Sequence, residues 1–221
     1  MMRPVYILLF AFLISCTADQ NEALTGPDLI KKSIAYHDPN GIWPEFKGTL
    51  RIQDSLPEGR VSRRYDVSFD NTLSKVIYRK DDLHFIVWGD SVQVFEGEVT
   101  EERAKMLRNY YTYLWGLPMK LNDPGTLIDE KVLEETLDGV RYHVVRVPYE
   151  KDIWYFYLEP ETYRMAAYKF YQDEPNQKGE IIYLEGETEF EGMKIPSNRT
   201  WYRTEKPEFL ATDMLLDLVS N

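Results

Sequence analysis

Phe46-Lys47-Gly48-Thr49-Leu50-Arg51-Ile52-Gln53 carries apolar or small residues at every second position and polar residues between them. A side-chain period of two is that of an extended strand with one buried and one wet face. The alternation returns at 64–70, where Tyr65, Val67 and Phe69 interleave with Arg64, Asp66, Ser68 and Asp70. Alternation this clean belongs to antiparallel sheets with one solvated side. These two segments predict a half-buried sheet.

The pattern extends in both directions. Val76-Ile77-Tyr78, Leu83 to Trp88 and Val92 to Phe95 continue the series, separated by Lys80-Asp81-Asp82 and Gly89-Asp90. Leu83-His84-Phe85-Ile86-Val87-Trp88 is apolar in both phases, which predicts a strand covered on both faces. Further on, Val132 to Leu137 and Val140 to Val147 flank Asp138-Gly139, a strong hairpin dipeptide. Trp154 to Leu158 and Met165 to Tyr171 follow, then Glu180 to Phe190 and Met193 to Arg203 around Glu191-Gly192. Leu210 to Val219 fits either a last strand or a short helix.

Two helices interrupt the strands. Thr25-Gly26-Pro27-Asp28 opens one, with a capping threonine, a proline in the first turn and an acid where the helix dipole favours it. Asp38-Pro39-Asn40-Gly41 stops it. Thr100-Glu101-Glu102 opens the other, whose Leu107, Tyr110, Tyr111, Leu114 and Trp115 share one face. The prediction is a mainly β, α+β domain: one curved antiparallel sheet forming an unclosed barrel, with two or three helices on its concave face.

At the amino terminus a basic start, Met1-Met2-Arg3, precedes an apolar run that ends at Leu13-Ile14-Ser15-Cys16. This is the plan of a secretory signal. Leu-Ile-Ser-Cys resembles a bacterial lipobox, and Cys16 is the only cysteine. The expected division is a signal peptide at 1–15, a lipidated Cys16 with a tether at 16–24, and a half-barrel domain at 25–221. Palmitate-class acyl chains on Cys16 would anchor the domain to a membrane, the outer one before the inner.

The 221 residues carry a net charge of −11, so nucleic acid is not an expected partner. No phosphate loop, nucleophile elbow, zinc-protease helix or dinucleotide turn occurs. His37, His84 and His143 are expected on different elements, as packed residues rather than metal ligands. Glu185, Glu187, Glu189 and Glu191 fall on one face of a regular strand and read as a solvated outer edge. Asp54-Ser55-Leu56 and Asp90-Ser91-Val92 match a short bacterial O-glycosylation pattern. The chain is therefore expected to be no enzyme and to need no cofactor.

Four stretches carry a family resemblance: 35–43 (AYHDPNGIW), 116–125 (GLPMKLNDPG), 157–165 (YLEPETYRM) and 194–202 (KIPSNRTWY). Together they resemble an uncharacterised family of lipoproteins from Bacteroidota. More remotely, the order of elements is similar to the lipoprotein-localisation factors LolA and LolB. That resemblance implies an apolar cavity for a lipid or lipoprotein acyl chain. Trp88, Tyr111, Trp115, Leu117, Met119, Trp154, Phe156 and Trp201 are the expected lining, in a monomeric protein. The rival expectation is a filled core whose surface docks another envelope protein.

Overall fold

A computed structural model describes residues 24–220. The expected signal peptide, Cys16 and all of the tether except Leu24 lie outside the described residues. Helix α1 (Gly26–His37) leads into β1 (Lys47–Ser55), β2 (Arg64–Asp70), β3 (Lys75–Lys80), β4 (Leu83–Trp88) and β5 (Ser91–Glu96). Helix α2 (Glu101–Trp115) comes next. Then follow β6 (Val132–Leu137), β7 (Val140–Pro148), β8 (Ile153–Leu158), β9 (Met165–Asp173) and β10 (Lys178–Glu185). A short hairpin of β11 (Thr188–Phe190) and β12 (Met193–Ile195) precedes β13 (Asn198–Arg203) and β14 (Phe209–Ser220).

Twelve strands form one antiparallel sheet in the order β5-β4-β3-β2-β1-β14-β13-β10-β9-β8-β7-β6. The two end strands, β5 and β6, do not pair, so the barrel stays open as expected. Register shifts at Arg51/Ile52, His84/Phe85, Tyr157/Leu158, Lys178/Gly179 and Trp201/Tyr202 add local twist. A sheet this wide curls rather than lying flat.

The topology explains where α2 sits. β5 and β6 are consecutive in sequence but lie at opposite edges of the sheet. The chain between them must cross the sheet, and α2 is the main part of that crossing. It packs on β4 and β5, while α1 packs on β7, β12 and the 3-10 turn Met119–Asn122. Both helices cover the concave face, where two large apolar clusters form. One joins β1–β4 with Ala104, Tyr111 and Trp115 of α2. The other joins β7–β10 and β13 with Leu29 and Ile30 of α1 and Leu114 of α2. Ile34 of α1 touches both.

Local chemistry agrees with these placements. Thr25 and Asp28 form a reciprocal capping box on α1, and the Asp28 main-chain N–H donates to Thr25 Oγ1 at 3.4 Å. Asp138 and Gly139 both take positive φ (50° and 82°) in the β6–β7 turn, as a two-residue hairpin requires. Two expectations change, and one open alternative resolves. β4 is buried only in the phase of Phe85 and Val87, because the helices cover one face of the sheet. The expected strand from Glu180 to Phe190 breaks at Gly186, which has φ +66°. The chain then turns away from the main sheet, the glutamate stripe is interrupted, and Glu187 accepts a hydrogen bond from Tyr36 Oη at 2.9 Å. Residues 210–219 belong to strand β14, paired on both sides by β1 and β13.

Candidate functional site

The four stretches that carry the family resemblance meet at one end of the concave face. His37, fully buried at the end of α1, lies within 2.8 Å of the Lys194 carbonyl through Nδ1 and accepts the Met165 N–H on Nε2 at 3.1 Å. That pairing sets the neutral tautomer with the proton on Nδ1. Burial pushes the imidazole below its ordinary pKa. Next to it, Asp38 caps the following turn, taking the main-chain N–H groups of Ile42 and Trp43 at 2.9 Å each. The Trp43 ring lies so close to Gly116 that a Cβ there would stand 2.3 Å from it. From β13, the Arg199 guanidinium lies 3.5 Å from the centroid of the Trp115 ring.

Arg199 belongs to a polar row across the middle of the sheet. It pairs in register with Asp213, and Asp213 pairs with Asp54 on the next strand. Asp54 is fully buried and bound by Arg63. Tyr65 Oη donates to Asp213 Oδ1 at 3.2 Å. Burial raises the Asp213 carboxyl above its usual range, opposed by Arg199, and it lowers the Arg199 guanidinium. Arg199 Nη1 donates to the Pro196 carbonyl at 2.8 Å, whereas Arg199 Nε, Tyr168 Oη and Trp201 Nε1 are buried donors without acceptors. The row runs over β13, β14 and β1, and its Arg199 lies against Trp115 of α2.

Two open clefts flank α2. One of about 690 Å³ lies between the end of α1, the middle of α2 and the turn after it, with Trp43, Thr112, Tyr113 and Met119 in its walls. The other, of about 680 Å³, lies over β2 and β3, floored by Tyr65, Tyr78 and Tyr111. A third, of about 770 Å³, is on the convex face among Tyr157, Tyr171, Tyr183 and Tyr202. Between the first two, side chains of α1 and α2 fill the concavity.

Most of the expected lining residues share this face. Trp115, Leu117, Phe156 and Trp201 are buried within the clusters. Tyr111 and Met119 reach the clefts. Trp154 is half-buried, stacked on Phe170 at 4.8 Å and edge-on to Tyr113 at 5.2 Å. Trp88 differs: it falls in the outward phase of β4, opposite Phe85 and Val87, and is 42 % exposed. Arg199, Asp213 and Arg63 were not anticipated, although strand phase marks them. Gly48, Leu50 and Ile52 point inward, and the next residue in that phase is Asp54.

His37, His84 and His143 stand on α1, β4 and β7. Among the described residues no group of three or more His, Cys, Asp or Glu is arranged to hold a metal ion. Nor is any helix long and apolar enough to cross a membrane.

The architecture is LolA-like. The chain is similar to a LolA superfamily protein from Nitrosomonas europaea, with 13 % identity, a TM-score of 0.57, and 90 % of this chain and 94 % of that one covered. A domain from Vibrio parahaemolyticus described as an outer membrane lipoprotein-sorting protein gives 9 % identity, a TM-score of 0.54 and coverage of 89 % and 92 %. A DUF1329 family protein from Desulfovibrio piger gives 7 %, 0.51, and 90 % and 94 %. At these identities the likeness is one of fold. The chain itself belongs to DUF6503, a family of unknown function, whose profile matches residues 3–217. No curated protein matches it.

Proposed function

We propose that the chain is a non-enzymatic lipoprotein of the bacterial cell envelope, anchored through Cys16, whose half-barrel domain holds an apolar chain from a lipid or a lipoprotein. The bound acyl chain would lie on the concave face under α2, against Tyr111, Trp115, Leu117, Met119, Trp154, Phe156 and Trp201. The observation that carries this reading is the seating of α2. It spans an apolar face that extends over most of the strands, and a cleft opens on either side of it. α2 is not part of the strand ladder, so a shift of it would break no strand pairing, although the turn that follows it is buried and packed on α1. Each ligand methylene taken out of water would contribute about 0.8 kcal/mol, offset by whatever apolar helix contact it displaces into solvent. The lipoprotein-sorting description of the Vibrio parahaemolyticus domain supports the same ligand class and an outer-membrane site.

The test is a titration of the purified protein with a fluorescent fatty acid, following probe emission and tryptophan fluorescence. Saturable binding at micromolar probe supports the proposal; binding that never saturates, or none, rejects it. A second reading, docking of another envelope protein by a monomer, is favoured by one feature. Edge strand β5 exposes Val94 and Phe95 (51 % for Phe95), with Phe95 stacked on His84 of β4. Loss of a defined cross-linked partner from envelope fractions on Phe95→Lys would support it, and unchanged cross-linking would count against it.

A further inference from the structure

The cleft over β2 and β3 differs from the one on the other side of α2 in its mixture of surfaces. One wall is apolar, from Leu83, Val99 and Leu107. The floor is a cluster of tyrosines: the Tyr65, Tyr78 and Tyr111 ring centroids lie 5.7 to 5.9 Å apart. These three rings are buried members of the apolar cluster under α2, so the cleft leads directly into the core. The mouth carries Arg63, Lys80 and Arg103, against a single lining acid, Glu98. In a chain with a net charge of −11, that grouping runs against the composition.

The three bases are not equally engaged. Arg63 is bound to the buried Asp54. Lys80 has only the mostly exposed Asp81, at 3.7 Å. Arg103 forms no ion pair among those described; its guanidinium Nη1 reaches only Met106 Sδ, at 3.8 Å. Two cations therefore stand at the rim of an apolar cleft with charge to spare, and an anionic oxygen group placed there would make charge-assisted hydrogen bonds.

The geometry points to an anionic head-group site at this cleft: the ligand is a single-chain lipid whose carboxylate or phosphate monoester lies between Arg103 and Lys80 while its chain passes over the tyrosine floor to the concave face. This rests on the proposed acyl-binding function and adds the ligand's charge and its orientation. The tyrosine hydroxyls are acid-silent here, since burial raises Tyr65 and Tyr111 far above the ordinary phenol range. They stay protonated and do not repel an anion, and the Tyr65 hydroxyl is already given to Asp213.

The test compares palmitate, lysophosphatidate, hexadecanol and inorganic phosphate as competitors of a fluorescent fatty acid on the full chain. Palmitate or lysophosphatidate should bind about tenfold more tightly than hexadecanol, and the tighter of the two identifies the head group. In Lys80→Glu/Arg103→Glu that advantage should vanish while hexadecanol binding stays within about twofold. Should the double variant fail to fold, raising salt from about 50 to 500 mM on the native protein should weaken palmitate and leave hexadecanol unaffected. Equal, salt-insensitive affinity for palmitate and hexadecanol overturns the head-group site and leaves the acyl-binding function standing. Inorganic phosphate competing as well as lysophosphatidate overturns it in favour of a free-anion site. No binding of any chain overturns both.

Discussion

His37 shows how one side chain ties the domain together. Its two ring nitrogens join the end of α1 to β12 and to the start of β9. A proton on Nε2 would face the Met165 N–H, and burial already holds the pKa below 6.5, with Arg164 and Arg199 acting in the same direction and the Lys194 carbonyl and Glu187 against it. The unfolded chain therefore takes up this proton before the folded one does. The contribution is complete above pH 6.5 and is lost as pH falls from 6.5 through the lower folded value. Urea unfolding at pH 7.5 and 5.5 should show a smaller midpoint at the lower pH. Because His84 shifts in the same direction, His37→Gln isolates the effect. That variant should lose about 1–3 kcal/mol at pH 7.5 and show a shallower pH slope. An unchanged slope would remove His37 as the cause. Arg199 and Trp115 allow a second comparison. Trp115→Ala empties a buried site and should cost about 3–5 kcal/mol. Arg199→Met exchanges a buried guanidinium without a bound carboxylate for an apolar chain of similar length, and should leave stability within about 1 kcal/mol or raise it. A large loss for Arg199→Met would mean that its contact with Trp115, its hydrogen bond to the Pro196 carbonyl and its charge beside Asp213 together outweigh the cost of burying it.

At the scale of elements, α1 and α2 are held differently. The start of α1 is seated tightly: the Gly26 N–H donates to the Glu130 carbonyl at 3.0 Å, and a Cβ on Gly26 would stand 2.0 Å from the Asp129 oxygen. Gly26→Ala should therefore cost about 1–3 kcal/mol in chemical denaturation, and a neutral result would show that the contact relaxes freely. α2 has a capping threonine and one exposed Lys105–Glu101 pair, and besides side-chain packing it is held to the sheet by two side-chain hydrogen bonds, Arg108 Nη1 to the Gly89 carbonyl and Tyr113 Oη with Tyr149 Oη, each at 2.9 Å. Its amides should exchange with deuterium faster than those of β1, β2 and β14, and slow when palmitate is added. Equal protection before ligand would argue against a movable α2. The existence of these elements was legible because the strands alternate and both helices carry caps. Their arrangement was not. Nothing local in 101–115 records that β5 and β6 lie at opposite edges, which is what lays α2 across the sheet. Likewise Leu83–Trp88 has apolar residues in both phases, but coverage depends on which face the helices occupy. Asp54, Arg199 and Asp213 were readable in phase, yet a pattern search for catalytic motifs passes over isolated charges on apolar strand faces.

As a whole molecule, the domain sets an open twelve-stranded sheet against two helices, with one row of polar groups across β1, β14 and β13, a second polar group at the end of α1, and clefts beside α2. A sheet closed on itself would fill its own centre. This one uses helix side chains for that purpose, and such side chains can give way to a ligand of similar character. The proposed binding face lies on one side only, whereas the convex face keeps its tyrosines in a separate cleft. That separation gives the most direct test of acyl binding under α2. A fatty acid carrying a photoreactive diazirine on its chain would be cross-linked to the full-length protein and the adducts mapped by mass spectrometry. The expected adducts fall on residues 101–121 and on concave-face positions such as Phe156 and Trp201, and they diminish with unlabelled palmitate. Adducts confined to Tyr183, Tyr202 and their neighbours on the convex face, or none that palmitate displaces, would contradict it.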